Sequence, residues 1–134
     1  MLKPFWLVAP HCVVLVSTQA CTYSTNWQRS NEAGYEAYKQ ARYDDAEKAY
    51  LAALKEAENF GPQDSRLATP LNNLAALYDA QGKYTEAEPL YQRSLAIWEN
   101  ALGPEHPNVA MSRQNYAGLR RSMGRAGEAA RLGR

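Results

Sequence analysis

Small and aromatic residues recur at helical spacing in two stretches of this chain. Ala46, Ala49, Tyr50, Ala53, Leu54 and Ala57 fall on one helix face, and Ala87, Leu90, Tyr91, Ser94, Leu95 and Trp98 repeat the same offsets. Leu67, Leu71, Leu74 and Tyr78 mark a stripe on the helix before the second stretch. The short turns Ala41-Arg42-Tyr43 and Gly82-Lys83-Tyr84 join each pair. The pattern predicts helices over 27–40, 43–59, 66–81, 85–101 and 108–123, with a stub from 127.

Polar residues and prolines sharpen these boundaries. Thr85-Glu86-Ala87-Glu88 reads as a capping box, in which a hydroxyl takes a free amide and a Glu three residues on reaches back. Asp44-Asp45-Ala46-Glu47 reads the same way. Gly61-Pro62 and Gly103-Pro104 close the second helix of each pair, glycine releasing the chain and proline forbidding continuation. Pro89 falls in a first turn, where a missing amide costs little. Pro70 lies inside the 66–81 segment, so it is expected to kink that helix or to move its start to Thr69.

The pattern is periodic. Gly61-Pro62-Gln63-Asp64-Ser65-Arg66-Leu67-Ala68 returns 42 residues later as Gly103-Pro104-Glu105-His106-Pro107-Asn108-Val109-Ala110. Tyr43, Ala46, Tyr50 and Leu54 precede Tyr84, Ala87, Tyr91 and Leu95 by 41. A fixed period of this size marks stacked helical repeats, which bind other proteins more often than they do chemistry. The expected fold is therefore all-α, an α-hairpin solenoid of about two and a half repeats at 27–60, 66–102 and an incomplete 108–134. In the third copy Arg113 and Arg120 stand where Leu71 and Tyr78 stood, and Ala126-Gly127 replace the Tyr and Thr of the turn. Two readings stay open. One is a worn terminal cap kept wet by its arginines. The other is an end that requires a partner, a second copy, or a longer parent chain.

The first 20 residues differ in kind. A positive start at Lys3, an apolar stretch broken by Pro10 and His11, and the sequence Thr18-Gln19-Ala20-Cys21 read as a secretory leader. Cleavage after Ala20 leaves a linker at 21–26 and the repeats from 27. Cys21 directly after the small residue resembles a bacterial lipoprotein signal, which implies lipidation of Cys21 and a membrane anchor in the periplasm or at the outer membrane. Thr18 and Gln19 depart from that signal, which prefers Leu three before the cysteine and a small residue two before it. With Cys12 removed, no intramolecular disulfide is available. The alternative is a cytoplasmic module with a miscalled start.

A net charge of +1 gives no bulk field for nucleic acid. From Arg113 onward there are six Arg against one acid, dispersed as on a solvated helix face. No metal-ligand spacing, nucleophile triad or phosphate loop is present in the sequence, so neither cofactor nor reaction centre is expected. His106 sits in a linker turn, where a lone histidine is structural far more often than catalytic.

The repeats resemble the tetratricopeptide repeat, in the long form found in kinesin light chains and many bacterial proteins. Leu71, Leu74, Ala75, Tyr78, Gly82, Ala87, Tyr91 and Ser94 carry the likeness, along with the linker Leu-Gly-Pro-Glu-His-Pro. It implies close helix approach at Gly34, Ala75 and Ala117, and aromatic fill at Tyr50 and Tyr91. It also implies a concave groove lined by the first helix of each unit. By position the groove residues are Asn31, Tyr35, Asn72, Asn73, Ala76, Asp79, Met111, Gln114, Asn115 and Gly118. The carboxamides suit the backbone of an extended peptide, since each offers one acceptor and two donors. The same residues equally suit bonding between neighbouring helices. The carboxylate-binding form of the family carries Lys and Arg at positions that here hold Asn31, Tyr35, Met111 and Asn115, so a C-terminal carboxylate is not the expected ligand. The expectation is a protein-binding adaptor. Its rival is a fragment that self-associates into a homo-oligomer.

Overall fold

The computed structural model describes the backbone of residues 19–132 and the side chains of residues 26–127. Five helices follow one another: α1 (Gln19–Lys39), α2 (Tyr43–Glu58), α3 (Ser65–Ala80), α4 (Tyr84–Leu102) and α5 (Pro107–Leu132). No strand occurs among the described residues. α1 pairs with α2 and α3 with α4, while α5 packs chiefly on α4. The expected stack of α-hairpins is the fold observed.

Each hairpin reverses through one residue in the left-handed region. Ala41 has φ 56° and Gly82 φ 74°. The helix ends are closed alike. The Arg42 amide donates to the Ala37 carbonyl at 2.9 Å, and the Lys83 amide donates to the Tyr78 carbonyl at 2.8 Å. These are six-residue closures that satisfy carbonyls a helix end otherwise leaves bare.

Tyrosines fill the layers between units. Tyr50 is 2% exposed and packs with Ala37, Ala46, Leu74 and Leu77. Tyr91 is 2% exposed and packs with Ala75, Ala87 and Leu119. A small residue faces each ring. A Cβ added at Gly34 would lie 2.6 Å from two Tyr50 ring carbons. Ser94 is fully buried and donates to the Ala68 carbonyl at 2.7 Å, pinning α4 to α3 within the unit.

Several expectations give way. The linker at 21–26 is helical, since α1 begins at Gln19. Most of the expected leader lies outside the described residues, as does the side chain of Cys21. The capping boxes do not form. The Arg42 and Lys83 carbonyls accept from the amides of Ala46 and Ala87, so both helices are capped two residues earlier than the boxes require. Neither helix has a side-chain cap, and the Thr85 hydroxyl donates to the Glu86 carboxylate at 2.7 Å instead. α3 does not start at Thr69: Asp64 caps it, accepting from the Arg66 amide at 2.9 Å, and Pro70 is buried inside an unbroken helix.

The third unit departs most. α5 runs through Gly124-Arg125 without a turn, and no separate stub begins at 127. Gly124 keeps ordinary helical backbone where Gly82 adopts positive φ. The reason lies in the residue that follows the turn. Tyr43 and Tyr84 pack against the clusters of their own units and reward the reversal. Ala126 supplies no such ring, so continuing the helix is favoured. Ala117 is accordingly exposed and faces no paired helix, contrary to its expected role in close approach.

Candidate peptide-binding face

α1, α3 and α5 carry the predicted groove residues, and α3 touches both α1 and α5. Two carboxamide pairs cross between them. Asn73 Nδ2 donates to Asn31 Oδ1 at 3.0 Å, joining α3 to α1. Asn115 Nδ2 donates to Asn72 Oδ1 at 3.3 Å, joining α5 to α3. The two bonds are the same bond in successive units, because Asn31 aligns with Asn72 and Asn73 with Asn115. Asn72 is 7% exposed, and the other three are half-buried. Each pair uses one acceptor and one N–H and leaves the remaining amide valences for a ligand or for solvent. These residues therefore stabilise the stack whatever else they do.

Tyr35 on α1 and Met111 and Gln114 on α5 stand exposed. Tyr35 is 51% exposed and Met111 50%. Beside Tyr35 lies a pocket of about 70 Å³ lined by Tyr35, Tyr38, Tyr50, Asn73 and Ala76. Lys39 Nζ sits 5.1 Å from the centre of the Tyr35 ring and pairs with Glu36 at 2.8 Å. Asp79 is half-buried one turn beyond Ala76, and burial alone pushes its carboxyl above the usual carboxylate range. Burial also pushes the Tyr50 phenol up to about 12, with the neighbouring Tyr38 and Tyr35 adding to the effect. Tyr38 and Tyr50 were not among the expected groove residues. Register held the clue for Tyr38, which precedes Asp79 by the same 41 residues that separate Asn31 from Asn72.

Several other polar side chains close helix ends or pair between helices. His106 caps α5, its Nδ1 accepting from the Asn108 amide at 3.1 Å, just as Asp64 caps α3. Arg66 Nη2 donates to Asp64 at 2.7 Å and holds that carboxyl below its ordinary range. Arg120 and Tyr116 both donate to Glu88, at 2.8 and 3.0 Å, and together lower its carboxyl. Arg113 donates to Glu99 at 2.7 Å. A second cleft, open and polar, runs beside the α1–α2 turn along Arg42, Asp44, Asp45 and Gln81, away from the first-helix face. Among the described residues, no helix is long and apolar enough to cross a membrane.

Known proteins carry the same repeats. The chain is 39% identical over 90 residues to mouse nephrocystin-3 and 36% identical over 90 residues to nephrocystin-3 of Xenopus laevis. Each match covers 62% of this chain, and 6% and 7% of those much longer proteins respectively. Nephrocystin-3 of Xenopus tropicalis is 39% identical over 77 residues, covering 52% of this chain and 6% of its own length. The tetratricopeptide repeat profile matches residues 28–92 and again 66–134, which together take in both hairpins and α5. The chain belongs to the tetratricopeptide repeat family.

Proposed function

We propose that this chain is a protein-binding module, and not an enzyme, whose first-helix face docks an extended segment of another polypeptide. One observation carries the reading. Among the described residues four large apolar side chains are prominently exposed, and two of them, Tyr35 and Met111, belong to first helices, as do Gln114 and the carboxamide pairs. Exposed apolar groups beside carboxamides with spare donors and acceptors suit a peptide with alternating side-chain and backbone contacts. The non-enzymatic part is supported by His106, whose Nδ1 is committed to a helix cap. A photo-crosslinking amino acid tests the reading. Placed at Met111, it should capture a discrete partner in the cells that make the protein; placed at Leu51 on α2, it should not. Capture at Leu51 and none at Met111 would reject this face.

A second reading is favoured by one feature of α5. Ala117 is exposed at the position where Ala75 of α3 is fully buried by its unit. A helix from another copy seated there would make the module a homo-oligomer. Sedimentation separates the two: a monomer at tens of micromolar disfavours self-association.

Export with lipid attachment at Cys21 is a separate proposal. It is supported by Lys3, the apolar stretch that follows and the Ala20-Cys21 junction. An intact mass consistent with a lipidated chain beginning at Cys21 is the expected result. An unprocessed chain starting at Met1 would contradict it.

A further inference from the structure

Asp79 is the one charged residue among Asn31, Tyr35, Asn72, Asn73, Asp79, Met111, Gln114 and Asn115. It follows Ala76, a wall of the tyrosine pocket, by three residues on the same helix, so the two share a face. Its carboxylate is half-buried, and neither a cation nor a hydrogen-bond donor offsets that burial. The contrast with other acids is sharp. Asp64 has Arg66 and Glu88 has Arg120, and both carboxyls are held low by those partners. Lys39, over the Tyr35 ring, is already engaged by Glu36, and Lys83, four residues after Asp79, stands over the Tyr78 ring. Arg121 occupies the register of Asp79 on α5 but does not pair with it.

The surroundings of Asp79 are electron-rich. Its charge acts on the Tyr91 phenol, and so does Tyr38. Tyr38 and Tyr35 in turn act on Tyr50. The rings of Tyr35 and Tyr38 wall a pocket of about 70 Å³, and the unpaired Asp79 sits one helical turn from Ala76 in that wall. Aromatic faces attract cations through their quadrupole, and a partly desolvated carboxylate strengthens the attraction. The position of Lys39 over Tyr35 shows that this ring already accepts an ammonium at its rim.

We propose that this patch seats a basic side chain, arginine or lysine, of the docked segment, with Asp79 as its counter-ion and Tyr35 and Tyr38 as its walls. The proposal rests on the first-helix face being a peptide groove, and it fixes the chemistry of one position in that groove. A neutral side chain there leaves Asp79 buried without a partner. An acidic one is repelled.

Selection from a random peptide library against the full chain tests it, run in parallel on wild type, Asp79→Asn and Leu51→Ala. Wild type and Leu51→Ala should enrich a basic residue at one position, and Asp79→Asn should not. The best synthetic peptide should bind Asp79→Asn about fivefold more weakly, and replacing its basic residue by glutamine should weaken wild type by at least as much while weakening Asp79→Asn less. Asp79→Asn removes an uncompensated buried charge, so it should melt at or above the wild-type temperature, and weaker binding is then not a folding defect. Peptides that shift the amide resonances of Tyr35, Asn73 and Met111 but show no basic preference, or bind Asp79→Asn equally, leave the groove standing and overturn the basic subsite. Failure to select any peptide that reaches this face overturns both.

Discussion

Gly34 and Tyr50 touch across the first hairpin so closely that a single methyl group does not fit between them. A Cβ at residue 34 would lie 2.6 Å from Cδ1 and Cε1 of a ring that is itself 2% exposed. Ala46, Leu74 and Leu77 surround that ring and block its retreat. Gly34→Ala gains about 1 kcal/mol of helix propensity. It loses about 1–3 kcal/mol to overpacking. The clash wins, and a net loss of about 1 kcal/mol is expected by urea denaturation. In a Tyr50→Leu background the same change should cost less, because the ring is gone. An equal cost in both backgrounds would show that the contact is not the cause.

Ala41 gives the opposite sign. It holds the left-handed conformation at the first reversal, where Gly82 holds it at the second. A side chain in that region costs about 1–2 kcal/mol, partly recovered through a stiffer unfolded chain. Ala41→Gly should therefore stabilise the protein by about 0.5–1 kcal/mol. A lower melting temperature for this variant would contradict the turn geometry.

Two apparent helix caps separate in the same way. Asp64 bonds the Arg66 amide and side chain, whereas the Thr85 hydroxyl bonds only Glu86. Asp64→Ala should cost about 1 kcal/mol, and Thr85→Ala a few tenths at most. The Asp64 carboxyl is held below its ordinary range, so its folded form binds a proton less readily than its unfolded form. Its contribution is present above the unfolded carboxylate range and is lost as pH falls through the folded value. Acid should thus narrow the gap between wild type and Asp64→Ala, as chemical denaturation along a pH series would show.

Alkali attacks the other end. Burial raises the Tyr50 phenol from 10.0 to about 12, and burial with the Glu47 contact does the same for Tyr78. The Tyr91 phenol is raised as well. Unfolded phenols ionise first, so the stability these rings confer is complete below pH 10.0 and declines as pH rises toward about 12. Phenolate absorbance and loss of helical circular dichroism should rise together in that window. Ionisation of all nine tyrosines well before any loss of helix would contradict the burial of Tyr50 and Tyr91.

Much of this was legible in the residues, and what was hidden has physical causes. The 41- and 42-residue offsets and the Ala/Tyr stripes located the four paired helices, because burial of Tyr50 and Tyr91 enforces the register they describe. The capping boxes misled because Thr85 and Asp44 fit either the cap or the second residue of a helix start. Backbone bonds from Ala46 and Ala87, invisible in a sequence, decided between them. The uninterrupted α5 was hidden behind Gly124, a turn residue that permits a reversal without driving one. The carboxamides showed their alignment but not their bonds. That Asn73 meets Asn31, and not Glu32 of its own register, depends on the stagger of α3 against α1.

The chain's central role is tested most directly by a spin-labelled peptide from the library selection, bound to the isotope-labelled full chain. Paramagnetic broadening should centre on α1, α3 and α5 around Tyr35, Asn73 and Met111, and spare Leu51 on α2 and Gln92 on α4. Broadening centred on α2 and α4 would contradict the assignment of the first-helix face as the docking surface.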